Sequence, residues 1–240
     1  MDMRTKVFFY SLETKKVPLY IAVFSTTDRI QHMFFNHIDP MHPLYDPERA
    51  KRYGPEILNI YRKADEIVGR VMDQMDEKDV LMVLSDHGFL SFRRGFNVNT
   101  WLVRNGFMKL HGQGESVSDE DLEGLFTDED FFMKTDWNRT QAYALGLGQV
   151  YINLQGRERD GIVPKEDYLA TCEELRENLL AYRDPADGKQ VVRGVYFRDE
   201  IWEGPFVESP PGAPDIMLGF NEGYRVSWDT CLGGVPSETM

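Results

Sequence analysis

The hydrophobic positions of the chain fall into a few separate patterns. Val17 to Phe24 (VPLYIAVF) is a continuous apolar, β-rich run, bounded by Lys15 and Lys16 before it and by Ser25-Thr26-Thr27-Asp28 after it, and it predicts a buried strand. From Pro55 to Met75 the apolar residues Ile57, Ile60, Tyr61, Ala64, Ile67, Val68, Val71, Met72 and Met75 recur at three- and four-residue steps, which predicts an amphipathic helix. Asp79 to Ser85 (DVLMVLS) is a second short apolar run, ended by Asp86-His87-Gly88. Strand, helix and strand in that order make a βαβ unit, so the expected fold class is α/β, with a mostly parallel sheet covered by helices.

Further along, Gln141 to Leu154 reads as extended, Lys165 to Tyr182 as a helix with Tyr168, Leu169, Cys172, Leu175 and Leu179 on one stripe, and Val191 to Phe197 as another strand. The chain from Ile201 onward is rich in Pro and Gly, and Ala213 to Phe220 closes it with a short apolar run. Between Glu115 and Asp130 there are eight carboxylates and no Lys or Arg, a composition that contributes little core and suits an exposed insertion or linker. The resulting partition is a core segment at 1–110, the acidic insertion at 111–135, and the remainder of the domain, a smaller α+β region, at 136–240.

Composition narrows the function. A chain of 240 residues with 42% hydrophobic content can bury one sizeable core. Its net charge of -13 argues against a nucleic-acid partner, because neutralising phosphates needs clustered Lys and Arg. No apolar run approaches the roughly 20 residues of a membrane span. The segment Met1 to Lys16 lacks the apolar core and cleavage site of a signal peptide, so the cytoplasm is the default localisation. Cys172 and Cys231 alone do not indicate a disulfide framework.

Two constellations can carry chemistry. Asp28 and His32 stand four residues apart where a helix can begin after the first strand, so both side chains share one helical face. A carboxylate and an imidazole suit zinc, and also manganese or iron; the bland alternative is a helix-capping Asp with a half-exposed His one turn later. Asp86-His87-Gly88 follows the second strand at its C-terminal end, where open α/β sheets gather ligands, and Gly88 permits the sharp turn that two neighbouring ligands need. Arg93 and Arg94 follow closely and suit an anionic substrate, or form a solvated basic turn. His37 and His42 read as loop residues, Asn97 and Asn99 as helix caps, and Arg157 with Glu158 as a structural pair.

Five segments in order carry a resemblance: F-S-T-T-D-R-I-Q-H (24–32), V-L-S-D-H-G-F (83–89), D-W-N-R-T-Q-A-Y-A-L-G (136–146), I-N-L-Q-G-R-E (152–158) and A-P-D-I-M-L-G-F-N-E-G-Y (213–224). Together they are similar to the type I phosphodiesterase and nucleotide pyrophosphatase branch of the alkaline phosphatase superfamily, in particular its phosphohydrolase or phosphomutase group. The resemblance implies a metal-dependent phosphoester hydrolase acting on a small-molecule phosphate ester. It also implies two divalent cations, zinc first, with Asp28 and His32 on one and Asp86 and His87 on the other. In such a family a further Asp and the hydroxyl or thiol nucleophile come from a strand and helix expected upstream of Met1, and a last His from beyond residue 240. The chain therefore reads as an incomplete portion of that core, and the alternative function is a non-catalytic binding or scaffold domain retaining the fold.

Overall fold

The computed structural model describes all residues except 16, 115–117, 127–130, 206 and 208–211. Lys16 and parts of the acidic stretch and of the Pro/Gly-rich segment after Ile201 thus lie outside the described residues. The chain divides into two compact units, Met1–Ser91 and Phe92–Met240.

The first unit is helical. Helix α1 (Asp2–Thr14) buries Phe9, over whose ring the Arg70 guanidinium lies at 3.8 Å. Helix α2 (Thr26–Phe34) packs against the long α4 (Pro55–Met72), and α3 (Pro47–Tyr53) starts under an N-cap in which Asp46 accepts the amide of Arg49 at 2.8 Å. Gly54 joins α3 to α4 (Pro55–Met72); a Cβ there would stand 2.6 Å from the Ala50 carbonyl oxygen, so the tight junction admits only glycine. The amphipathic periodicity of α4 is realised, with Ile57, Ile60 and Ile67 buried.

The two predicted strands of this unit do not form. Residues 17–24 and 79–85 join no ladder among the described residues, and their apolar side chains lie open, Leu19 at 73%, Ile21 at 78%, Val80 at 89% and Leu84 at 80% exposure. A strand exists only where a neighbour takes its backbone donors and acceptors, and neither run has such a neighbour here, so no large parallel sheet is seen. The frame is mixed α/β with small sheets.

The second unit holds a two-layer core. In chain order it contains β1 (Arg94–Phe96), α5 (Val98–Arg104), α6 (Asp119–Glu123), β2 (Ala142–Ala144), β3 (Gln149–Ile152), α7 (Tyr168–Ala181), β4 (Val192–Phe197), α8 (Arg198–Ile201), β5 (Ile216–Phe220), β6 (Tyr224–Val226) and α9 (Trp228–Cys231). Strands β2-β3-β5-β4 form an antiparallel sheet, while β1 pairs with β6 in parallel, Gly95 opposite Arg225. The register sets Tyr143 opposite Tyr151 and Val150 opposite Ile216, so Ala142, Ala144, Val150, Ile152, Ile216 and Leu218 share the buried face. Against it lie Cys172, Leu175 and Leu179 of α7 and Trp101 and Leu102 of α5.

The extended segment Gln141 to Leu154 is thus a hairpin. At its turn Gly148 takes a positive φ of 93°, and its carbonyl accepts the Leu218 amide at 2.8 Å. Within the acidic stretch Leu122 is buried in the core, so that segment also serves packing. Asn97 stands at the N-cap of α5 without a side-chain cap bond and donates instead to the Glu238 carbonyl. Asn99 is fully buried, and its amide bonds the Ala144 backbone in both directions. These two asparagines tie distant segments together rather than capping. No described helix is long and apolar enough to cross a membrane.

Candidate metal centre

The two Asp/His pairs of the first unit adjoin at one carboxylate oxygen, Asp28 Oδ1. Helix α2 carries Asp28 in its first turn, where a carboxylate is favoured by the helix dipole, and His32 one turn later on the same face. His32 Nε2 lies 3.3 Å from Asp28 Oδ1, which is about the separation of two ligand atoms each about 2.0–2.1 Å from one tetrahedral zinc. The segment after residues 79–85 adds His87, whose Nε2 stands 3.9 Å from the same Asp28 oxygen and 3.6 Å from Asp86 Oδ2.

Asp28 Oδ1 is buried and accepts no hydrogen bond, a costly state for a carboxylate oxygen that a cation relieves. The His87 pKa is raised, first by the hydrogen bond between its Nδ1 and the Gly88 carbonyl at 2.8 Å, then by the charges of Asp86 and Asp28. The negative charges of Asp86 and Asp28, which contribute to that rise, also attract a metal cation. The His32 ring meets the Phe89 ring edge-on at 4.8 Å, and Phe89 in turn packs on Phe35 at 5.3 Å, which orients the imidazole.

The set is open. Among the described residues no group of three or more His, Cys, Asp or Glu side chains is arranged to hold a metal ion. Asp28 with His32 fits one edge of a coordination sphere, and Asp86 with His87 adjoins it, with Asp86 turned largely to solvent at 89% side-chain exposure. Gly88 is not in a left-handed conformation, so the turn that brings His87 in does not draw on glycine's freedom. Two of the three hydroxyls before Asp28 are engaged: Ser25 accepts from Arg4 at 2.8 Å, and Thr27 donates to the Phe24 carbonyl at 3.3 Å.

The other candidates lie elsewhere. His37 is buried between Phe34 and Tyr53, and His42 Nδ1 accepts the Leu44 amide at 3.0 Å. Arg93 and Arg94 belong to the second unit. Both backbone amides donate to the Gly223 carbonyl, and the Arg94 Nε lies 2.6 Å from a fully buried Asp184 carboxylate. Arg157 and Glu158 pair at 2.9 Å, as structural partners do.

What the sequence reading missed is the residue that Arg157 serves. Asp215 is completely buried and accepts from Arg157 Nη1 at 2.7 Å and Nη2 at 2.5 Å, from Arg198 Nη2, from the Tyr168 hydroxyl at 2.9 Å and from the Ile152 amide at 2.7 Å. The signal was a lone carboxylate at the head of the apolar run Ala213 to Phe220, since a buried charge demands partners. Burial, followed by the Asp215 charge, pushes the pKa of Tyr168 and Cys172 upward, Cys172 to about 12.

Comparison with curated proteins gives no match, and comparison with solved structures gives none either. The family model described as "Type I phosphodiesterase / nucleotide pyrophosphatase" matches residues 1–229, which takes in both Asp/His pairs, the Arg157–Asp215 cluster and most of both units. The chain belongs to the type I phosphodiesterase/nucleotide pyrophosphatase family of the alkaline phosphatase superfamily.

Proposed function

We propose that the chain is a metal-dependent phosphoric ester hydrolase of the phosphodiesterase type, in which Asp28 and His32 hold one divalent cation and Asp86 and His87 a second. The observation that carries this reading is the approach of His32 and His87 to the orphaned Asp28 Oδ1, with Asp86 beside His87. Zinc suits the oxygen and nitrogen donors, and manganese and iron are compatible with them.

When bound, two such cations neutralise the phosphoryl oxygens and lower the pKa of an attacking hydroxyl. The chain's own part is positional. Helix α2 fixes Asp28 and His32 on one face, Phe89 orients the His32 ring, and the Gly88 carbonyl accepts from His87 Nδ1, leaving Nε2 free to act as a ligand. The substrate class is a small-molecule phosphate ester. We assign no residue of this chain as the nucleophile.

The open ligand set favours a second reading, a scaffold that keeps the family fold without turnover. Release of p-nitrophenol from bis(p-nitrophenyl) phosphate, with zinc, manganese or iron added, separates the two. The hydrolase reading expects metal-dependent turnover that falls at least 100-fold in Asp28→Ala and Asp86→Ala. Turnover that is absent with every cation, or equal in the variants, establishes the scaffold.

A further inference from the structure

The second unit gives several of its partly covered guanidiniums a carboxylate. Arg94 has Asp184, Arg104 has Glu123, Arg157 and Arg198 share Asp215, and Arg176 has Glu200. Arg225 is built differently. It packs on two aromatic rings, its Cζ 4.5 Å from the Phe92 centroid and 4.3 Å from that of Trp228, and its Nε donates to the Val226 carbonyl at 3.1 Å. Among the described residues no acceptor pairs with its two terminal nitrogens.

Its packing on two rings, with no carboxylate partner among the described residues, sets it apart from those paired arginines. The parallel pairing of β1 with β6 places Gly95 opposite Arg225, and α9 carries Trp228, the second of the two rings. The two rings and the Nε bond fix the plane of the group, so its terminal N–H fork is oriented before any ligand arrives, which lowers the ordering cost of binding. Partial burial lowers the Arg225 pKa, a sign that the charge is not compensated from within.

We infer that Arg225, packed on Phe92 and Trp228, is a binding site for a phosphate group. The terminal N–H pair matches two oxygens of a phosphate in the bidentate manner that guanidinium favours. Trp228, 63% exposed, and Phe92, 41% exposed, offer apolar ring surface beside it to whatever the phosphate is attached to. The site lies wholly within the second unit and stands whether or not the metal centre does.

The test is nuclear magnetic resonance on the whole chain after chelator treatment and dialysis, so that no phosphate binds through a metal. Inorganic phosphate is titrated against acetate at matched ionic strength, following the indole N–H of Trp228, assigned with Trp228→Phe, and the Arg225 side chain. The expected result is a saturable shift confined to Phe92, Arg225 and Trp228, at least tenfold weaker with acetate, at least tenfold weaker in Arg225→Gln and intermediate in Arg225→Lys. Shifts centred elsewhere in the wild-type chain, no saturation, or equal response to acetate would each overturn the site, and the wild-type map decides even if the Gln variant fails to fold.

Discussion

Replacing Asp215 is the most informative perturbation of the second unit. Alanine there removes the acceptor of two arginines, a tyrosine hydroxyl and a backbone amide at once. Arg157 keeps Glu158, but among the described residues Arg198 keeps only a long contact of 3.5 Å to the Pro214 carbonyl. Breaking a buried ion pair by deleting one partner costs about 3–5 kcal/mol. The arginine side chains are 19% and 16% exposed and can reach some water, which places Asp215→Ala at about 3 kcal/mol, the low end of that range. Asp215→Asn keeps the shape and one acceptor oxygen and belongs at about 2 kcal/mol, while Tyr168→Phe deletes a single hydrogen bond to a charged group, about 1.5 kcal/mol. Urea unfolding followed by near-ultraviolet circular dichroism reads all three. With a denaturant slope of about 2 kcal/mol/M, the alanine variant moves the midpoint down by about 1.5 M. A shift below about 0.3 M, or an Asn variant weaker than the Ala variant, refutes the view that this carboxylate anchors the unit.

Two further outcomes follow from named contacts. A Cβ at Gly161 would stand 2.1 Å from the Leu154 carbonyl oxygen and 2.9 Å from the Gln155 amide nitrogen, both backbone, so Gly161→Ala must displace the loop carrying Arg157; it lowers stability by about 1–3 kcal/mol in the same urea assay. Alkaline titration tests the buried phenols. Burial raises the Tyr143 pKa to about 12 from its ordinary 10.0, with Tyr151 and Tyr182 raised for the same reason. The unfolded chain then releases these protons first, so the stability they confer is complete below about pH 10 and is lost as pH rises through the folded-state values. A urea midpoint that is flat or rising from pH 10 to pH 11.5 contradicts this.

How much of this was legible depends on where the information resides. Helix α4 was readable because its burial repeats with the helical period within one segment, and the Asp28/His32 pair because that period also aligns ligands. The antiparallel strands were visible as extended runs, but their hairpin required noticing Gly146 and Gly148, both at positive φ. The runs at 17–24 and 79–85 have strand composition, yet pairing is a property of two segments, and among the described residues no partner strand meets them. Asp215 was missed for a related reason: Arg157, Tyr168 and Arg198 are 58, 47 and 17 residues away, beyond any local pattern.

The central claim is that Asp28, His32, Asp86 and His87 bind metal. Inductively coupled plasma mass spectrometry on the purified chain, beside Asp28→Ala, Asp86→Ala and His87→Ala after exhaustive dialysis, tests it most directly. The account predicts near-stoichiometric zinc, manganese or iron in the wild-type chain and clear loss in each variant, whereas a wild-type chain that retains no metal, or variants that retain as much, contradicts it.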